Sequence, residues 1–274
     1  MPQLFTDIGA LWVKYGSVYL NGALSTLILA ITATAIGCII GFICGILQTI
    51  PCSPSDSGVK KFFLKLIRIL IRIYVEVFRG TPMILQAVFI YYGLPYFTGV
   101  AFKSIWGVSI TVVSINTGAY MAESVRGGIM SIDPGQTEGA KAIGMTHFQT
   151  MLYVILPQTL RNIMPQIGNN YIINVKDTSV MFIIGFAEFF SIHKMVSGAV
   201  FKYFPSAVIE MVGYLTMTLV ASFILRYCEK KLAGPENFEL LSSDQLVMTA
   251  GTYNSPAKGS PFDEHSKEFA GGEK

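Results

Sequence analysis

Apolar residues fall along this chain in long unbroken blocks, not in the alternating pattern of strands or the one-sided stripe of a surface helix. Asp, Glu, Lys and Arg are absent from residues 15–55, 80–102, 104–122, 142–160 and 211–225. A helix needs roughly 18 or more apolar residues to cross a hydrocarbon layer about 30 Å thick. The pattern therefore predicts five membrane-spanning helices, at about 18–48, 75–96, 104–123, 160–192 and 206–228. The block 142–160 is set aside, because Thr146, His147, Gln149, Thr150, Gln158 and Thr159 make it a poor span. Gly37, Gly41 and Gly45 share one face of the first span, a spacing that lets a second helix approach closely. The fourth span is interrupted by Pro165, by Asn169 and Asn170, and by the run Lys176, Asp177, Thr178, Ser179.

Composition agrees with an all-α integral membrane protein. Hydrophobic residues make up 52% and charged residues 14%, where soluble domains carry roughly 25% charge. That excludes a soluble enzyme, a disordered chain and a disulfide-stapled secreted module. Lys60, Lys61, Lys65, Arg68 and Arg72 form the densest basic cluster and alternate with Phe62, Phe63, Leu66 and Ile69. This reads as an interfacial helix on the cytoplasmic side. Five spans then put the N-terminal segment 1–17 outside and the C-terminus inside. From 233 to 274 the chain is polar and acidic, as expected of a disordered cytoplasmic tail. The modest basic excess reports topology, not nucleic-acid binding. Cys38, Cys44, Cys52 and Cys228 have no paired spacing and read as reduced thiols. His147, His193 and His265 are too scattered for a metal site, and the chain has no phosphate-binding G-x-x-x-x-G-K-[ST] run.

The stretch 131–158 carries dense local signals. Asp133 can cap a helix with Pro134 in its first position, and Gln136 would complete a capping box. Gly144 supplies a helix end, Thr146 and Gln149 a second capping box, and Leu156–Pro157 a second stop. A helix–glycine turn–helix elbow follows. Glu138, Gly139 and Ala140, then Gly144 and Val154-Ile155-Leu156-Pro157, resemble the EAA loop of ABC importer permeases, with Gly139 and Val154 departing from that pattern. Phe78 to Pro82, Tyr91 to Pro95, Gly168 to Asn170 and Lys176 to Ser179 resemble the polar amino-acid branch of that family. The likeness covers about 20–231.

The resemblance implies a type I permease of five spans in a bacterial cytoplasmic (inner) membrane. Glu138, Ala140, Lys141 and Gly144 would couple it to a separate ATP-binding cassette ATPase dimer. It also implies a second permease subunit, identical or paralogous, and an extracytoplasmic amino-acid-binding protein. The chain itself would be no enzyme and hold no cofactor, since ATP and magnesium would sit in the partner subunit. Polar residues within spans are costly and mark a solute path or a structural pair. Asp177 lies about 24 Å along a helix from Arg161, near mid-membrane. Asp177, Thr178, Asn169, Asn170, Arg79 and Tyr120 are therefore the candidate pathway residues. Asp177 could equally pair with Lys176, Arg79 or Arg72, and Arg79 with Glu76. A permease for another small polar solute, such as a sulfur compound or an opine, and an ATP-independent carrier are the alternative functions.

Overall fold

In the computed structural model, residues 2–52 and 56–233 are described. The tail expected from 233 onward lies, after Ala233, outside the described residues. Helix α1 (Pro2–Thr49) is one rod of 48 residues, about 72 Å at 1.5 Å per residue. The segment 1–17, expected as a separate piece, thus joins the same helix from Pro2. Helix α5 (Ile105–Met130) packs along it, and here the three glycines do what their spacing suggests. A Cβ on Gly37 would lie 2.6 Å from Thr117 Cβ, and one on Gly45 would lie 2.6 Å from Val125 Cγ1. Small residues replace the hydrophobic drive that lipid cannot supply. Leu29, Ala33, Val112 and Val113 extend the seam into a core that also holds Met181 and Phe186.

Helix α2 (Gly58–Gly80) opens on a Ser57 cap and packs Ile71 and Val75 against Ala122 of α5. The expected second span at 75–96 is not a single helix. α2 stops at Gly80, Thr81 is extended, and the chain resumes as α3 (Met83–Val88), a π-helical turn (Phe89–Gly93) and α4 (Leu94–Thr98). Pro82 is the reason, since it has no N–H for the Phe78 carbonyl and restricts Thr81.

After α5 comes the elbow, α6 (Pro134–Ala142) and α7 (His147–Thr150). A π-helical turn (Met151–Ile155) then leads directly into α8 (Leu156–Asp177). Leu156–Pro157 is therefore not a stop. The wider turn precedes a residue that donates no N–H, and the Gln158 side-chain amide donates to the Val154 carbonyl at 2.9 Å. Pro165 does not end α8 either; Arg161, whose carbonyl loses its helical donor, is exposed. The break falls later. A 3₁₀ helix (Thr178–Ile184) and left-handed Gly185 lead to α9 (Phe189–Val200), bent by 53° from the preceding helix. Phe201, itself left-handed, turns the chain into α10 (Tyr203–Ala233), three residues before the expected start of the last span.

Among the described residues, α1, α5 and α10 are each long and apolar enough to cross a membrane. The bent pair 147–184 and 189–200 makes a broken fourth. The shorter apolar stretch Met83–Thr98 is joined to α2 through the Gly80–Pro82 break.

Candidate functional site

Both helix breaks open onto the same place. A cavity of about 460 Å³ is lined by Arg79, Thr81 and Pro82 at the first break, by Asn116, Thr117 and Tyr120 of α5, and by Asn170, Asn174 and Asp177 of α8. Its walls begin with a backbone problem. Ending α2 at Gly80 frees carbonyls inside an apolar bundle, where each unpaired group is costly. Gln86 answers it: its Nε2 donates to Phe78 O, Thr81 O and Thr81 Oγ1, each at 2.9 Å. Asn116 Nδ2 donates to Phe78 O and to Gln86 Oε1, both at 3.1 Å. On the opposite wall Asn174 Nδ2 donates to Thr34 Oγ1 at 2.8 Å and to Thr117 Oγ1 at 2.9 Å, tying α8 to α1 and α5.

The charges divide unequally. Arg79 pairs with Glu123 of α5, not with Glu76 three residues before it, and its guanidinium lies 5.4 Å from the centre of the Tyr120 ring. One carboxylate leaves several of the five guanidinium donors unused. Asp177 makes no ion pair within 4.0 Å among the described residues, neither with Arg79 nor with Arg72 nor with exposed Lys176. It is also the last residue of α8, so the carbonyl end of the helix adds to its negative potential. The cavity thus sets the Arg79–Glu123 pair and a carboxylate with no ion pair within 4.0 Å, Asp177, in one lining.

Of the six pathway residues expected from sequence, Asp177, Arg79, Tyr120 and Asn170 line this cavity. Asn169 is exposed and lies outside its lining, and buried Thr178 donates its hydroxyl to Val175 O. Sequence reasoning missed Asn174 in the lining and Gln86, which holds lining residues Thr81 and Asn116 in place. The available signal was a lone amide in an apolar run facing a break.

The elbow follows its local chemistry closely. Asp133 accepts from Gly135 N at 2.6 Å, and Thr146 and Gln149 form a reciprocal capping box. Gly144 takes φ +83°, a conformation that favours glycine. Gln136 does not complete the first box; its side-chain oxygen instead accepts from Gln158 at 3.3 Å, holding α6 to the start of α8. Glu138, Lys141 and Gly144 are exposed, whereas Ala140 is buried and faces its own chain. Beside them stand apolar side chains not singled out before: Ile143 is 80% exposed, Phe148 72% and Tyr153 68%.

The family model for binding-protein-dependent transport system inner membrane components matches residues 57–234. The chain belongs to that family. The glutamine transport system permease protein GlnP of Escherichia coli (strain K12) is 34% identical over 230 residues, covering 82% of this chain and 97% of the relative. The arginine transport system permease protein ArtQ of Bacillus subtilis (strain 168) is 34% identical over 159 residues, 58% of this chain and 72% of ArtQ. A crystal structure of an amino acid ABC transporter with histidines superposes with a TM-score of 0.69 at 34% identity, over 80% of this chain and 96% of that one. The MetNI methionine ABC transporter, at 17% identity and a TM-score of 0.66, shares the fold over 80% of this chain and 98% of its own. This permease is thus a transport component with the type I ABC permease architecture.

Proposed function

We propose that this permease forms the translocation path of an ATP-driven amino-acid importer and is worked by a separate ATPase dimer through the elbow. What carries the reading is the continuity of the elbow with the cavity. α7, the π-helical turn and α8 run without a stop from Thr146 to Asp177, so a push on the elbow reaches the anionic wall of the cavity along one rod. Exposed Glu138, Lys141, Ile143 and Phe148, arranged around the Gly144 turn, give a partner both charge and apolar area to grip. Ala140 serves from inside, where its burial leaves little room for a larger side chain in the elbow.

The cavity suits a solute with opposite charges a few ångströms apart. Asp177 receives the ammonium of an α-amino acid, and Arg79, beside Tyr120, receives its carboxylate. Asn170 and Asn174 line the route. The glutamine and arginine transport named for the relatives supports an amino-acid substrate class. A second permease subunit completes the membrane path, and an extracytoplasmic binding protein delivers the solute. The N-terminus lies outside, and the basic start of α2, the elbow and the C-terminus lie on the cytoplasmic side of a bacterial inner membrane. This side assignment follows the basic residues of those segments. The chain holds no nucleotide; ATP and magnesium belong to the ATPase.

The test is co-purification of the permease with its ATPase, reconstitution with the binding protein, and uptake of labelled amino acids. Amino-acid uptake that needs ATP supports the reading. Uptake without ATP or the ATPase would mark a carrier instead, and uptake confined to sulfur compounds or opines would replace the substrate class.

A further inference from the structure

Glu188, outside the cavity lining, is fully buried and collects hydrogen bonds from three helices. It stands at the corner of the broken span, between left-handed Gly185 and the start of α9. One carboxylate oxygen accepts Ser191 N–H at 2.7 Å and lies 3.1 Å from Ser191 Oγ, whose hydroxyl donates to Phe186 O at 2.6 Å. The other accepts Phe190 N–H at 2.8 Å, the Tyr214 hydroxyl of α10 at 3.0 Å and the Thr26 hydroxyl of α1 at 3.5 Å. Thr26 Oγ1 in turn accepts Phe189 N–H at 3.1 Å. Close packing surrounds the corner. A Cβ on Gly22 of α1 would lie 2.7 Å from Ile192 Cγ1, and the Phe189 ring meets Tyr214 edge-on at 5.2 Å.

A helix start needs only the bonds to Phe190 and Ser191, which aspartate makes as well as glutamate. The extra length of Glu188 reaches past the cap to α1 and α10. Meanwhile residues 178–188, a 3₁₀ turn and a glycine with weaker hydrogen bonding than an α-helix, are where this span would most easily give. We infer that Glu188 is a positioning residue that braces this corner, so that a displacement of α8 is delivered to α9 and the adjoining parts of α1 and α10 and is not absorbed in the link. This rests on the elbow being the ATPase contact.

Uptake and ATP hydrolysis are measured in the same proteoliposomes holding the full transporter and binding protein, for Glu188→Asp and Tyr214→Phe. Glu188→Asp keeps the cap and shortens the reach; Tyr214→Phe removes only the bond to α10. Each is expected to lower solute transported per ATP hydrolysed by about threefold, the scale of one lost hydrogen bond, and Glu188→Gln, which keeps the length, to lose less than Glu188→Asp. A mere folding defect lowers uptake and hydrolysis together and leaves their ratio unchanged. If Glu188→Asp yields no folded protein, Tyr214→Phe decides alone. An unchanged ratio beside a coupled wild type overturns the brace alone. A wild type without ATP-dependent uptake overturns the elbow reading, and the brace with it.

Discussion

Along the α1–α5 seam, glycines let side chains of one helix press on the backbone of the other; at the Gly80–Pro82 break, two amide side chains stand in for a missing helical turn. The seam gains its contact from the absence of side chains. The break stays tolerable in an apolar bundle only because Gln86 and Asn116 reach across it. A membrane protein that must hold its shape and still pass a polar solute needs both kinds of construction. Substitutions in the seam should therefore act on folding, those in the cavity on transport, and those at the break on both.

The sharpest way to break that division is Gly41→Leu. A Cβ there already falls 2.8 Å from the Met121 backbone carbon, so overpacking should cost about 3 kcal/mol or more and sharply lower the yield of folded protein from detergent. Asp177→Asn should leave yield and Tm unchanged while uptake falls about tenfold or more, the equivalent of a lost charge-assisted hydrogen bond of about 1.5–3 kcal/mol. Normal uptake by that variant at equal protein level would remove Asp177 from the substrate path. Gln86→Leu sits between the two classes. It orphans the Phe78 and Thr81 carbonyls in part, and a loss of about 1–2 kcal/mol should show as a lower Tm in detergent, with Asn116 limiting the damage. Glu123→Gln should do least to stability, under about 1 kcal/mol by thermal melt. Its pair with Arg79 is half-exposed, with the two side chains 39% and 44% accessible.

The elbow was legible because its rules are local. Asp133, Gly144, Thr146 and Gln149 each act on a backbone group within three residues, and all four do what their neighbours imply. The limits of the spans were less legible. Proline stops helices on average, yet Pro165 is carried inside α8, and Pro157 is accommodated by a π-helical turn that no local pattern announces. The cavity was half legible. Asp177 and Arg79 stand out as charges in apolar runs, but Glu76 lay three residues from Arg79 and concealed the true partner, Glu123, on another helix. Gln86 and Asn174 do their work through residues on other turns and helices, from Phe78 to Thr34, and a linear pattern does not bring those together.

The claim that the elbow is the contact for an ATPase can be tested with a single cysteine. Cys52 and Cys228 are exposed and would first be replaced by serine. Ile143→Cys, beside the Gly144 turn, is then labelled with a membrane-impermeant thiol reagent in inside-out and right-side-out vesicles, with and without the ATPase. Labelling is expected from the cytoplasmic side only, with protection when the ATPase is bound. Labelling from the outer side, or equal labelling in the assembled transporter, would contradict the claim.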